Sequence, residues 1–267
     1  MTLLHRLFAG IRREPRNTAA IAPLHPFTGP VYAVGDVHGC LSLFRQIETL
    51  IEKDADRFAN PATLVLLGDM VDRGPQTAAL IDHLLAPSRI RRLCLMGNHE
   101  AMMLGYLAAP TAQANWLHLG GYQTLTSYGV TMDIGTLERM PERNLLHLIA
   151  AHVPDGHLRF LNGLLPGIRV GLYLLAHAGA CAASPLAAQP RQALIWGNAG
   201  LTAPEGLTLV HGHHVQPRPA IRPLRIGIDT GAYATGHLTA LRLLPDQPPA
   251  LLTTSVDKVF KELALLR

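Results

Sequence analysis

The chain has 267 residues, 48% of them hydrophobic and 16% charged, which excludes a disordered chain or a solvated helical rod and implies one core of ordinary size. The 23 Lys and Arg exceed the 19 Asp and Glu by only +4, so the charge does not call for nucleic acid, though it suits a mild attraction to phosphorylated substrates. Cys40, Cys94 and Cys181 cannot all pair within the chain and form no Cys-x-x-Cys motif, which points to a reducing compartment.

Residues 1–25 read as a flexible N-terminal segment and residues 26–267 as a single domain. His5 and Arg6 break the apolar start before it reaches the length of a signal-peptide core, and no apolar run reaches about eighteen residues, so neither a secretory leader nor a membrane span is expected. The expected location is cytoplasmic, with weak amphipathic attachment through residues 3–16 as a minor alternative. Three groups of arginines read as solvated surface: Arg12, Arg13 and Arg16; Arg89, Arg91 and Arg92; and Arg218, Arg222 and Arg225.

The first hundred residues repeat a local plan in which a short apolar run ends in Gly and an acid or amide. Val31–Val34 leads to Gly35-Asp36, Thr63–Leu67 to Gly68-Asp69, and Leu93–Met96 to Gly97-Asn98; each run reads as a buried strand. Leu43, Phe44, Ile47, Leu50 and Ile51 recur at helical spacing between the first two, and a second helix follows Pro75 through Leu80, Ile81 and Leu84. A β-α-β unit makes neighbouring strands parallel, which places Asp36, Asp69 and Asn98 along one sheet edge, where α/β folds bind ligands.

Residues 101–166 read as a mostly helical cap, with Met102, Met103, Leu104 and Leu107 at helical spacing and turns at Gly120-Gly121 and Ser127-Tyr128-Gly129. Strands return at Leu172–Leu175, ending at His177, at Leu207–Val210, ending at His211-Gly212-His213, at Arg225–Ile228, and over His237–Leu244. They form a second sheet packed on the first.

Asp36 and His38 stand two positions apart past a strand and can project to one side of a turn. Asp69 offers two oxygens with which to bridge a pair of cations, Asn98 adds a neutral oxygen, and His177 and His213 add nitrogens. A nitrogen and oxygen set without thiolate suits Mn, Fe or Zn. Two such ions would lower the pKa of a shared water towards neutrality and give a nucleophile for in-line attack on phosphorus. A cysteine-based phosphatase would need an Arg six residues after its Cys, and none of the three cysteines has one.

Gly35-Asp36-Val37-His38-Gly39, Gly68-Asp69-Met70-Val71-Asp72-Arg73-Gly74 and Gly97-Asn98-His99-Glu100, with the later His177-Ala178-Gly179 and Gly212-His213, resemble the motifs of the calcineurin-like metallophosphoesterases, phosphoprotein phosphatase branch. The resemblance runs from about Val31 to Leu244. It implies an α/β fold, an αββα sandwich of two mixed sheets flanked by helices with a small helical cap. It also implies metal one on Asp36, His38 and Asp69, and metal two on Asp69, Asn98, His177 and His213. By resemblance His99 protonates the leaving oxygen, Asp72 orients His99, and Arg73 grips the phosphoryl oxygens.

Three departures accompany the match. Met96 stands where the family's protein phosphatases carry Arg, Trp196 is followed by Gly197-Asn198-Ala199-Gly200 without the Arg of many bacterial relatives, and His214 replaces a common Thr. Arg218, Arg222 or Arg225 would then have to supply a missing phosphate contact. The expected partner is a phosphorylated protein, carrying phosphoserine, phosphothreonine or phosphotyrosine, or a small phosphoester. The related symmetrical diadenosine tetraphosphate hydrolases typically have Ala at the position of Asp72 and are the first alternative; a non-catalytic metal- and phosphate-binding module is the second.

Overall fold

The computed structural model describes residues 18–198, 200–204, 206–254 and 261–262; the amphipathic stretch 3–16, with Arg12, Arg13 and Arg16, lies outside the described residues. β1 (Thr18–Ala19) and β2 (Ala22–Pro23) lead into β3 (Val31–Val34), α1 (Leu41–Ala55), β4 (Thr63–Leu66), α2 (Thr77–Leu85) and β5 (Arg91–Cys94). Helices follow: α3 (Asn98–Ala108), a 3-10 segment at Thr111–Leu119, α4 (Gly121–Ser127), α5 (Ile134–Arg139), α6 (Glu142–His152) and α7 (Asp155–Asn162). Next come β6 (Ile168–Val170), β7 (Tyr173–Leu175), a 3-10 turn at Leu186–Ala188, β8 (Gln189–Pro190) and α8 (Arg191–Trp196). The described chain closes with β9 (Thr208–His211), β10 (Ala220–Arg222), β11 (Arg225–Gly227), α9 (Ala232–Thr235), β12 (Thr239–Leu244), β13 (Gln247–Thr253) and β14 (Lys261–Glu262).

Two six-stranded mixed sheets form, in the orders β14-β13-β12-β3-β4-β5 and β10-β11-β9-β7-β6-β2. The pairings of β3 with β4 and of β4 with β5 are parallel, as the helical crossovers through α1 and α2 require. The two-residue alternation of a strand then decides which core each side chain joins. Val31, Ala33, Val65 and Leu67 of one sheet meet Val170, Leu175, Val210 and Ile226 of the other. Tyr32, Val34, Leu64 and Leu66 face the opposite way, onto Phe44, Ile47 and Ile51 of α1 and Leu80 and Ile81 of α2. The architecture is the expected α/β sandwich, but the strand expected over His237–Leu244 does not join the second sheet: β12 pairs antiparallel with β3 and extends the first.

Boundaries differ where tertiary contacts win. The third strand is Arg91–Cys94 rather than Leu93–Met96, because Leu95 bridges to Leu165 and the Met96 N–H goes to the Leu165 carbonyl at 2.8 Å. Strands β10 and β13 escape a reading by apolar runs because prolines mark both: Pro219 and Pro223 flank β10, and Pro248 and Pro249 lie inside β13, where proline usually argues against a strand.

Arg92 is not solvated. Its side chain is 9% exposed and forks onto Glu48 Oε1 of α1, with Nε at 2.7 Å and Nη2 at 2.6 Å, while Nη1 donates to the His83 carbonyl at 2.7 Å. This ties α1, α2 and β5 together.

A second buried pair joins α1 to β12. Asp54 accepts from Arg242 Nη1 at 3.0 Å and from the Tyr32 hydroxyl at 2.8 Å, and the Arg242 guanidinium lies 5.3 Å from the Phe58 ring centroid. Asp54→Ala strands a buried guanidinium and is expected to destabilise the protein by about 3 kcal/mol in urea unfolding; a loss below about 1 kcal/mol would mean that the pair is solvated.

Candidate metal centre

Several strand ends at one edge of the sandwich build one cluster. The β3–α1 loop brings Asp36 and His38, the β4–α2 loop brings Asp69, Asp72 and Arg73, and the first turn of α3 brings Asn98 and His99. The turns after β7 and β9 add His177 and His213. Asp36, His38, Asp69, Asp72, Asn98, His99 and His177 are all buried. Five of the nine sit at positive φ, His38 at 45°, Asp69 at 49°, Asp72 at 71°, Arg73 at 64° and His213 at 62°, a left-handed conformation that costs side-chain-bearing residues and concentrates at functional sites. The approach of the loops requires Gly68, at φ 106°, since a Cβ there would lie 2.7 Å from Gly97 Cα.

Backbone carbonyls set the tautomers of two histidines. His38 Nδ1 donates to the Val71 carbonyl at 2.8 Å and His177 Nδ1 to the Leu67 carbonyl at 3.0 Å, so each turns a bare Nε2 into the cluster. Burial lowers both, His38 to about 3 and His177 to about 4, which keeps them neutral and ligand-ready. His177 Nε2 then stands 2.8 Å from Asn98 Oδ1, and His213 Nδ1 stands 2.9 Å from the same oxygen. In this amide orientation the lone pairs of His177 and Asn98 face each other with no proton between them, an arrangement that a cation relieves.

Two groups of ligand-type atoms lie within 4.8 Å of one another: His38, Asp69 and His99, and Asp69, His177 and His213. Asp69 belongs to both. Burial works against its charge, but the facing imidazoles of His177, His99 and His38 draw its carboxyl down to about 2. Asp36 accepts the His213 N–H on Oδ2 at 3.0 Å, while its Oδ1 is buried without a partner. Burial, with the charges of Asp229 and Asp69, raises its carboxyl well above the usual range, which is the condition of an oxygen that lacks a cation. The donor set fits a pair of divalent ions.

His99 faces a different partner. Its Nδ1 is 2.7 Å from Asp72 Oδ2, and its Nε2 is 3.1 Å from Arg73 Nη2. Burial opposes protonation of the ring, yet the Asp72 hydrogen bond and the charges of Asp69 and Asp72 hold the imidazole above its ordinary value. An Nε2 that accepts from Arg73 is unprotonated, so the two tendencies compete for one atom.

Several residues here escaped the reading by motif chemistry. Trp116 Nε1 donates to Asp72 Oδ2 at 2.7 Å, and the Thr124 hydroxyl donates to Asp72 Oδ1 at 2.8 Å; both come from the helical stretch, where no local pattern marks them. Glu100 takes four backbone N–H groups, from Asp69 at 2.9 Å, Met70 at 2.7 Å, Val71 at 3.1 Å and Gly97 at 2.9 Å, and so fixes the strained loop against α3. Asp229 is buried and accepts from the Gly231 N–H at 2.9 Å; it follows the apolar run ending at Ile228, the same signal that marks Asp36 and Asp69. Tyr233 packs on the Arg73 guanidinium at 4.6 Å and meets the His38 ring at 5.2 Å. Met96, at the place of a family arginine, is buried in the apolar core.

A family model described as calcineurin-like phosphoesterase matches residues 29–238. Among curated proteins, the chain is similar to the symmetrical bis(5'-nucleosyl)-tetraphosphatase of Proteus mirabilis, 38% identical over 77 residues that cover 29% of this chain and 26% of that protein. It is similar also to the enzyme of the same description from Burkholderia pseudomallei strain 668, 28% identical over 142 residues, 52% of this chain and 44% of that protein. The matched segments thus span less than half the length of these relatives. Among solved structures, a candidate diadenosine tetraphosphatase aligns with TM-score 0.61 at 21% identity, covering 88% of this chain and 98% of the other. A cold-active protein-tyrosine phosphatase from a psychrophilic Shewanella aligns with TM-score 0.54 at 19% identity, covering 91% and 83%. At these identities the structural likeness speaks for the fold.

Proposed function

The chain belongs to the calcineurin-like phosphoesterases, and from that premise we propose that it is a two-metal phosphoester hydrolase acting on phosphate monoesters. The observation that carries this reading is Asp69, the carboxylate common to both ligand groups. Asp36, His38 and Asp69 would hold one ion, Asp36 replacing the His99 of the first group because His99 is engaged by Asp72, and Asp69, Asn98, His177 and His213 the other, Mn being our choice and Fe or Zn the alternatives. Such ions, when bound, supply Lewis acidity and lower the pKa of a water they share.

The chain's own groups do the rest. Arg73 binds phosphoryl oxygens through its guanidinium fork, and Tyr233 packs on both that fork and the His38 ring. When Arg73 turns from His99 Nε2 to the phosphoryl group, Nε2 is freed to carry the proton that the departing oxygen needs. Asp72, held on both oxygens by Trp116 and Thr124, accepts the His99 Nδ1 proton and stabilises the imidazolium, whose second proton, on Nε2, is the one passed to the leaving oxygen. No residue of the chain has to become phosphorylated.

An acid aimed at the leaving oxygen matters most for poor leaving groups such as the alkoxides of serine and threonine. The Asp72–His99 pair therefore favours a phosphoprotein as substrate. The relatives named as symmetrical bis(5'-nucleosyl)-tetraphosphatases favour a second reading, cleavage of a dinucleoside tetraphosphate. The deciding experiment is turnover by the Mn-reconstituted protein, read as phosphate release from p-nitrophenyl phosphate and a phosphothreonine peptide and as ADP formation from diadenosine tetraphosphate. Turnover of the peptide above the dinucleotide supports the first reading and the reverse order the second. Binding of two Mn ions without turnover of any of the three would leave a metal- and phosphate-binding module.

A further inference from the structure

Beside the metal centre lies an open cavity of about 360 Å³ whose wall includes His211, His213, His214, Gln216, Arg225 and Gly227. His213 also belongs to the group with Asp69 and His177, so the cavity and the candidate centre share a side chain. The cavity follows from sheet register. Ile226 points into the core between the sheets, so its neighbours Arg225 and Gly227 point to the opposite face, where Gly227 pairs with His211. A Cβ on Gly227 would lie 3.1 Å from His211 Cε1 and 3.2 Å from Nε2, so glycine leaves the space that the imidazole occupies. His214 packs against His213 at 4.8 Å and His211 at 5.9 Å between ring centroids.

Arg225 is half-buried and makes no ion pair or side-chain hydrogen bond among the described residues, unlike Arg92 and Arg242, whose guanidinium groups are matched to carboxylates. No carboxylate lines the cavity among those residues. Of the three arginines that could replace the missing family contacts, Arg218 and Arg222 are exposed and outside this cavity. A half-buried guanidinium without an anion, in a recess that shares His213 with the candidate metal centre, is suited to a phosphate.

We propose that this recess is a subsite for a second phosphoryl group of the substrate, held by Arg225 with His214 and Gln216 while the scissile group lies at Arg73 and His99. The proposal rests on the hydrolase reading and narrows it: the substrate carries at least two phosphoryl groups. Those groups come either from a nucleoside polyphosphate chain or from neighbouring phosphorylated side chains of a peptide.

The test is calorimetric titration of the Mn-loaded full chain with inorganic pyrophosphate and with inorganic phosphate, for wild type, Arg225→Gln, Arg225→Lys and His214→Ala. The expected result is a loss of pyrophosphate affinity in Arg225→Gln at least ~10-fold larger than its loss of phosphate affinity, with partial recovery in Arg225→Lys and a smaller selective loss in His214→Ala. Equal losses for the two anions, or none, in the folded Arg225 and His214 variants would overturn it. Binding is read without turnover, so a protein that hydrolyses nothing refutes the hydrolase reading and leaves the subsite result intact. Comparing the rise in KM of Arg225→Gln for diadenosine tetraphosphate with that for a doubly phosphorylated peptide then identifies the source of the second phosphate.

Discussion

Asp69→Asn is expected to lower phosphate release from p-nitrophenyl phosphate on the order of 10³-fold and to weaken retention of at least one of two Mn ions by more than about 100-fold. The size follows from position. Asp69 Oδ1 is 3.4 Å from His177 Nε2, and Oδ2 is 3.6 Å from His38 Nε2, so one side chain serves both ligand groups. An amide keeps the shape but removes the charge that offsets repulsion between two cations, and it turns an NH₂ towards one of them. The same substitution also touches the fold. Asp69 Oδ1 accepts the His99 N–H at 3.0 Å, so a thermal scan of the metal-free variant must show a cooperative transition near that of wild type before the loss is assigned to metal. Wild-type metal content with wild-type turnover in Asp69→Asn would end the two-metal proposal.

The second large effect concerns the proton. His99→Asn is expected to reduce kcat by ~10²–10⁴-fold for an alkyl phosphate and by much less for p-nitrophenyl phosphate, whose leaving oxygen departs with little help. A residue that only shaped the site would slow both substrates alike. The pH profile supplies the sign. Asp72 and Asp69 hold the His99 imidazole above its ordinary value, so the acid form persists past the usual histidine range and kcat falls as pH rises through that raised value. Asp72→Asn replaces the charged acceptor of the 2.7 Å hydrogen bond by a neutral one and should move the fall to lower pH. An unshifted alkaline limb in Asp72→Asn would assign the proton to another group.

The electrostatics of the cluster make metal and loop geometry interdependent. Asp36, Asp69, Asp229 and Glu100 bring four carboxylates into one buried region. Burial and the Asp69 charge push Glu100 up to about 7, although four backbone N–H groups favour its ionised form. Divalent cations among these groups would offset the repulsion, which links metal loading to stability.

Much of this was legible in the sequence because the chemistry is written at strand ends. Apolar runs that stop at Gly-Asp or Gly-Asn mark the three parallel strands, and the β-α-β rule puts Asp36, Asp69 and Asn98 on one edge. His177 and His213 followed from the same signal in the second half. These features are local or follow from a topological rule, so one dimension carries them.

The tertiary structure alone decided the rest. Nothing near Trp116 or Thr124 in sequence connects them to Asp72, 44 and 52 residues away; only helix packing brings them there, because a buried carboxylate must find donors wherever the fold offers them. Arg92 reads as a surface charge until Glu48 and His83 converge on it. Arg225 became distinguishable from Arg218 and Arg222 through the face on which a two-residue strand period places it, beside a glycine that leaves room for His211. A sequence specifies which groups a chain owns and the short-range geometry between them, whereas partner choice for buried charge depends on distances that exist only after the sheets and helices have packed.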